Sequence, residues 1–496
     1  MNKFRVFSLQ CCFLIPLAIS LSSCNAKSVG TTPASITPTV IVDTSIPTST
    51  PIPTSTISPT KMPTETANTS TPSSSAPGLI FYGGEILTME ENQPAAQAVA
   101  VLGEKIIAVG SDAEILDLQS PQTILVQLNG LTIMPGFVDA HSHLFNSADQ
   151  WGLDKEGAQQ LGLEFGITSL ANMYSDPVFL SEMKALSDSG RLKIRTSLYL
   201  SYNTNCGEVL GDWYQDHSPT LASDEMLRIA GVKLFTDGGS CGAPAVSYEH
   251  PVFGYGDLWF TQDEFNAALL DIHASGRQAA IHALGDRAVE QSLNAIEYVL
   301  GGGDNTLRHR IEHNALVRDD LLDRYSEIGV VPLIFGSYPI CAPDAASPPA
   351  EQDGWEWRYR ELVDRNPSLH FAWHSDMHTQ LFAQISPLQH LFSMVTPFEV
   401  GSDGETICET APWVAEKTLS VAEVLPMMTI EGAYAIFSED VVGSIRPGKF
   451  ADLIILSGNP LDVGPEEIID LRVLTTIVGG RVEYCAAGYE EHCPEY

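Results

Sequence analysis

Between Thr132 and Trp373 short apolar runs alternate with amphipathic stretches, and this rhythm restricts the chain to a mainly parallel sheet with helices returning each strand to its start. The runs are Thr132 to Asp139, Ile167 to Asn172, Ile194 to Leu200, Val232 to Thr236, Ala279 to His282, His309 to His313, Val330 to Phe335 and His370 to Trp373. Helical periodicity fills Asp263 to Ala274, Ala288 to Val299 and Asp319 to Ile328 between the later runs. Eight strand and helix units predict an α/β fold of the TIM type, a (β/α)8 barrel whose chemistry sits at the carboxyl ends of its strands. A doubly wound open sheet is the alternative that the same rhythm permits.

The flanks read differently. Leu79 to Tyr82, Glu85 to Met89, Ala98 to Leu102 and Lys105 to Val109 are short apolar runs broken by turn residues, and so are Leu453 to Leu456, Val473 to Val478 and Arg481 to Tyr484. They predict a small β-sandwich formed from both ends of the folded region. Its first part spans 78–130 and its second, with a C-terminal tail, 441–496; the barrel takes 131–440.

Ahead of the folded body, Lys3 and Arg5 precede a mostly apolar stretch from Val6 to Leu21, and Leu21-Ser22-Ser23 leads to Cys24. Residues 1–23 are thus read as an export signal. The Leu-Ser-Ser-Cys run resembles the lipobox of bacterial lipoproteins, which implies that Cys24 is lipidated and that the protein is held to the outer side of the cell membrane by its lipid. Residues 24–77 form a tether: positions 31–77 hold 32 Ser, Thr or Pro, too little apolar surface to offset ordering entropy. A formal charge of −36 excludes nucleic acid as a partner, because phosphate would be repelled. The same charge favours a neutral or cationic small-molecule substrate over an anionic one. Of the nine cysteines, Cys485 and Cys493 are placed for a local bridge. Cys206, Cys241, Cys341 and Cys408 lie in loops, as free thiols or in one or two bridges.

Chemistry gathers at the strand ends. His141-Ser142-His143 follows the first run directly, and on an extended backbone residues i and i+2 point the same way, so both imidazoles can face one cation. His282, His313 and Asp376 end later strands. Imidazole nitrogens with a carboxylate suit a divalent cation such as Zn²⁺. Lys233 lies among apolar neighbours on the fourth run, where an amine is costly unless paired, for instance with Asp237, or modified. Arg310 and Glu312 alternate with His313, and Asp286 follows the fifth run; these either orient the ligands or form barrel-closing ion pairs. Trp355, Trp357, Tyr359 and Arg360 are read as rim packing, with an aromatic wall over the mouth as the alternative, and His374 and His378 as structural, with added ligands or pocket lining as the alternative.

Together the segments Met134-Pro-Gly-Phe-Val-Asp-Ala-His-Ser-His143, Gly231-Val-Lys-Leu-Phe-Thr-Asp-Gly238, Ile281-His-Ala-Leu-Gly-Asp-Arg-Ala288, Arg310-Ile-Glu-His313 and Gly443-Ser-Ile-Arg-Pro-Gly-Lys-Phe-Ala-Asp-Leu453 resemble the amidohydrolase superfamily, in its family 3 branch. The resemblance implies a metal-dependent hydrolase of non-peptide C–N bonds in linear or cyclic amides. His141 and His143 would bind one cation, His282 and His313 a second or shared one, and Lys233 would bridge as a carbamate, with Asp376 as ligand and catalytic proton shuttle. One or two ions, Zn²⁺ foremost, would activate a hydroxide for attack. Two departures stand out: only 144–165 separate His143 from Gly166, where family members carry a long insertion, and His374 precedes Ser375-Asp376, where the family more often has Gly. The competing reading is a lipoprotein on the same scaffold that binds a solute or metal without catalysis.

Overall fold

The computed structural model describes residues 76–337, 353–377, 385–401, 403–410 and 412–495. The export signal, Cys24, the tether, Cys341 and His378 lie outside the described residues. The barrel strands are β1 (Phe137–Ser142), β2 (Ile167–Ser175), β3 (Arg195–Ser201), β4 (Leu227–Phe235), β5 (Gln278–Ala283), β6 (Arg310–His313), β7 (Val331–Phe335) and β8 (Ala372–His374). They pair in sequence order into one eight-stranded sheet, each adjacent pair parallel. The expected α/β barrel, with its β-sandwich alongside, is the observed fold. Its seam closes differently from its other joints. The Asp376 N–H donates to His141 O at 3.1 Å. The Ser375 N–H donates to Asp139 Oδ1 at 3.0 Å, and its hydroxyl to Asp139 Oδ2.

Helices α1 (Lys155–Glu164), α2 (Pro177–Asp188), α3 (Gln262–Ala274), α4 (Asp286–Leu300), α5 (Arg324–Ile328), α6 (Tyr359–Arg365) and α7 (Pro387–Val395) cover the strands. Their starts are written locally. Asp176 caps α2 ahead of Pro177, while Thr261 with Glu264 and Ser386 with Gln389 form capping boxes on α3 and α7. Two expectations need correction. The helix predicted from Asp319 begins only at Arg324, because turns occupy the preceding residues. The connection from β3 to β4 carries only the 3-10 turn Trp213–Asp216.

The run from Thr132 to Asp139 is also not one strand. Thr132–Pro135 pairs antiparallel with Leu453–Leu456 in the sandwich, whereas Phe137–Ser142 enters the barrel. Gly136 sits at the break because only hydrogen fits there: a Cβ would lie 2.2 Å from Thr168 Cγ2 and 2.7 Å from Thr168 Cβ. Gly136→Ala is therefore expected to destabilise the fold by about 1–3 kcal/mol through overpacking, read as a lowered denaturation midpoint; an unchanged midpoint would refute the crowding argument.

The sandwich has a four-stranded sheet, ordered Lys105–Gly110, Ala98–Leu102, Leu79–Tyr82, Ile124–Gln127, and a six-stranded one. The latter runs Arg481–Cys485, Val473–Val478, Leu453–Leu456, Thr132–Pro135, Glu85–Leu87, Ala95–Ala96. Strands from both ends of the folded region therefore pair in the six-stranded sheet, while the four-stranded one draws its strands from the first part only; the strands Ile124–Gln127 and Ala95–Ala96 are additional to those expected from the sequence. Leu79, Phe81, Val99, Val101, Ile133, Leu453 and Ile477 form the core between the sheets. Arg195, which opens β3, ties barrel to sandwich through Asp452, its Nε to Oδ2 at 2.6 Å.

The amino-terminal end of the barrel is plugged. The helical turn Ile430–Ala435 lies beneath it, with Ala433 packed among Val138, Ala171, Met173, Tyr199 and Ala280, and Ala435 among Ala140, Val331, Leu333 and Ala372. The bridge between Cys485 and Cys493 is formed, and a second joins Cys206 to Cys241, stitching the loop after β3 to the loop after β4. Cys408 is disulfide-bonded as well. No helix among the described residues is long and apolar enough to cross a membrane.

Candidate metal centre

Parallel strands that start together deliver their last residues to one rim, so side chains far apart in sequence converge there. His141 is the last residue but one of β1 and His143 follows the strand; His282 lies near the end of β5, His313 ends β6, and Asp376 follows β8. One donor atom each from His141, His143 and Asp376 lies within 4.8 Å of the others. Asp376 Oδ1 is 3.3 Å from His141 Nε2 and 3.5 Å from His143 Nε2. On its other side Asp376 Oδ2 is 3.9 Å from His313 Nδ1, and His313 Nε2 faces His282 Nδ1 at 2.9 Å. Asp376 thus stands between one histidine pair and the other. It holds φ at +49° and His313 at +71°, left-handed backbone that Asp and His tolerate better than most residues.

His141 is aimed from behind. Its Nδ1 lies 2.6 Å from Glu312 Oε2, so Nδ1 donates to that carboxylate and Nε2 is turned toward Asp376. Glu312 is in turn gripped by Arg310, with Nε to Oε1 at 2.7 Å and Nη2 to Oε2 at 2.9 Å. Arg310 also donates to Ala140 O, on the strand that carries His141, at 2.6 Å. The alternation of Arg310, Glu312 and His313 therefore both orients a candidate ligand and ties β6 across the barrel to β1. Burial pushes the Glu312 carboxyl up, but the Arg310 charge and the His141 bond outweigh it and hold the group below the usual range.

Lys233 on β4 is fully buried, and its Nζ has no hydrogen-bond partner. Pairing with Asp237 does not occur: that carboxylate accepts instead from the N–H groups of Ala245, Leu284 and Gly285, at 3.0, 3.1 and 2.8 Å. Gly285 makes this possible, because a Cβ there would lie 2.0 Å from Ala245 O. Burial lowers the Lys233 amine to about 8, so a substantial fraction is neutral near that pH. Burial likewise lowers His282 to about 3 and holds His313 and His374 well below their ordinary value, which keeps their lone pairs available.

Other expected residues fall elsewhere. Asp286 touches none of these imidazoles; it opens α4 and accepts from the Ser247 N–H and from Arg318, both at 2.9 Å. The carboxylate beside His282 is Asp237, at 3.6 Å. Trp357 and Tyr359 are packing residues, with the Tyr359 hydroxyl accepting from the Phe335 N–H at 3.1 Å. His374 is brought into the cluster, its ring stacked on His141 at 4.8 Å. The signal was present in the sequence: His374-Ser375-Asp376 repeats the i, i+2 spacing of His141-Ser142-His143.

The donor set fits a divalent metal ion. Imidazole nitrogens and carboxylate oxygens are what Zn²⁺ and its neighbours bind. The buried His141 Nε2 has no hydrogen-bond partner, an arrangement that costs free energy unless something takes its lone pair.

A family model described as "Amidohydrolase family" matches residues 155–484, a span that begins after His141 and His143. The chain is 28% identical over 315 residues to Protein LONG AFTER FAR-RED 3 of Arabidopsis thaliana, covering 60% of this chain and 49% of that one. It is 25% identical over 281 residues to N-substituted formamide deformylase of Arthrobacter pascens, covering 53% and 47%. The chain thus spans about half the length of the curated relatives it matches. Among solved structures, a metal-dependent hydrolase from Pyrococcus furiosus superposes with a TM-score of 0.62 at 19% identity, covering 77% of this chain and 100% of that one. Atrazine chlorohydrolase from Arthrobacter aurescens TC1, crystallised with zinc, superposes at 0.54 and 16%, covering 82% and 95%. At these identities the likeness is one of fold.

Proposed function

The chain belongs to the amidohydrolase family, and from that premise we propose that it hydrolyses a non-peptide C–N bond, in a linear or cyclic amide of a small molecule, with a divalent metal ion as cofactor. The observation that carries this reading is the convergence of His141, His143 and Asp376 within 4.8 Å, beside the His282 and His313 pair. His141, His143 and Asp376 would hold one ion and His282 and His313 a second or shared one. Lys233 would bridge them once its neutral amine has taken up carbon dioxide and released a proton. A bound divalent ion supplies two things: a lowered pKa for its water and polarisation of the scissile carbonyl.

The protein's own groups do the rest. Asp376, 18% exposed and at the seam between both histidine pairs, takes a proton at its carboxylate and returns it to the departing nitrogen. Glu312 keeps the His141 proton on Nδ1, and Arg310 keeps Glu312 ionised. The plugged floor directs access to the rim, where the loops after β3 and β4 are held by Cys206–Cys241. That disulfide and Cys485–Cys493 also support export to an oxidising compartment, with Cys24 as the lipid attachment to the membrane. The relative that acts on N-substituted formamides and the acidic surface both favour neutral or cationic amides as first substrates.

Stripping the purified protein with a chelator is expected to abolish turnover across a panel of N-substituted formamides, linear amides and cyclic ureides, and Zn²⁺ or Mn²⁺ to restore it. Full turnover by the metal-free protein would overturn the proposal. Stoichiometric metal without turnover on any member would shift the reading to solute or metal binding.

A further inference from the structure

We propose that His374 is a further nitrogen ligand of the divalent ion at this rim, an inference that rests on the metal-site reading above. His374 ends β8, directly across the seam from His141 on β1, where the Asp376 N–H to His141 O bond fastens the two strands. The segments His141-Ser142-His143 and His374-Ser375-Asp376 therefore lie side by side as two copies of one pattern. In each, the third side chain reaches the same rim, with Asp376 Oδ1 3.3 Å from His141 Nε2 and 3.5 Å from His143 Nε2. Ser375 spends its N–H and hydroxyl on Asp139. Trp373, the other neighbour of His374, points away from the rim and donates its indole N–H to His390 Nδ1 at 3.1 Å.

The His374 ring is fully buried, and neither of its nitrogens has a hydrogen-bond partner. It lies among aromatic planes: His141 at 4.8 Å and 27°, His313 at 4.9 Å and 71°, and Phe335 at 5.4 Å and 37°. His374 thus touches one member of each histidine pair. Of the carboxylates that act on it, Asp376 faces His141 and His143 at 3.3 and 3.5 Å, and Glu312 is held by Arg310 and His141. A buried imidazole with two unsatisfied nitrogens is costly in an apolar interior, where a phenylalanine of similar shape would be cheaper. A metal ion among these rings removes the part of that cost owed to the acceptor nitrogen, because neutral imidazole offers it one lone pair.

The test compares the wild-type protein with His374→Phe, which keeps a planar ring for stacking and removes both nitrogens, and with His374→Gln as a second, smaller variant. Zn²⁺ content by elemental analysis, Zn²⁺ affinity by chelator competition, and the visible absorption of the Co²⁺-loaded protein are read for each. If His374 is a ligand, both variants bind Zn²⁺ more weakly by at least about tenfold, the lower bound for loss of even an outlying partner. Their Co²⁺ bands also shift from those of the wild type. Wild-type affinity with an unchanged Co²⁺ spectrum in either folded variant would overturn this inference while leaving the metal site intact. A wild-type protein that binds no metal would overturn the metal-site reading itself.

Discussion

Replacing Asp376 by Asn is expected to lower kcat by a factor of about 10² to 10⁴, the usual contribution of a positioned acid or base, while the protein keeps its fold and most of its metal. The substitution isolates the proton. Asp376 holds φ at +49°, and Asn adopts that left-handed backbone at least as readily as Asp, so the turn after β8 and its bond to His141 O survive. Asn retains an oxygen for the cation but cannot accept the proton that the carboxylate takes between the two histidine pairs. Turnover on the best amide substrate, measured with metal content on the same sample, decides the matter. Unchanged kcat would remove Asp376 from proton transfer. Loss of the metal along with the rate would make it chiefly a ligand.

Glu312→Gln is expected to have the largest effect on stability, about 3–5 kcal/mol, because it leaves the Arg310 charge uncompensated in a fully buried position. Metal affinity should fall as well, by about ten- to a hundredfold, since His141 loses the carboxylate that fixes its tautomer. The two consequences separate experimentally: denaturant unfolding of the metal-free protein reads the first, and chelator competition reads the second. The pH dependence follows from the direction of the shift. Burial raises the Glu312 carboxyl, but Arg310 and His141 pull it below its unfolded value. Its contribution is therefore complete above the unfolded Glu value of about 4.3 and drains away as pH falls below that. The wild type should lose stability over that acid range more steeply than Glu312→Gln. Equal stability of the two proteins at neutral pH would refute the role assigned to the Arg310, Glu312 and His141 chain.

The strand rhythm from Thr132 to Trp373 determined a parallel α/β fold, because a parallel strand needs a crossover, and only the meeting of β8 with β1 decided for the barrel over an open sheet. The same rhythm placed His141, His143, His282, His313 and Asp376 at strand ends, and strand ends of a parallel barrel share one rim. What the rhythm left undecided were the properties that depend on neighbours across space. Thr132 to Asp139 reads as one apolar run, yet Gly136 divides it, because the crowding comes from Thr168 on another strand. Asp237 and Asp286 are both acids near strand ends; only the fold shows that Asp237 is taken up by three backbone N–H groups beside His282, leaving Lys233 unpartnered, and that Asp286 faces Arg318. Arg310 and Glu312 were legible as a pair in alternation with His313, but not their reach across the barrel to Ala140 and His141, which requires the curvature of the closed sheet. His374 was visible as a residue two places before Asp376. Its stacking on His141 depends on β8 meeting β1, and only barrel closure brings the first and last strands together.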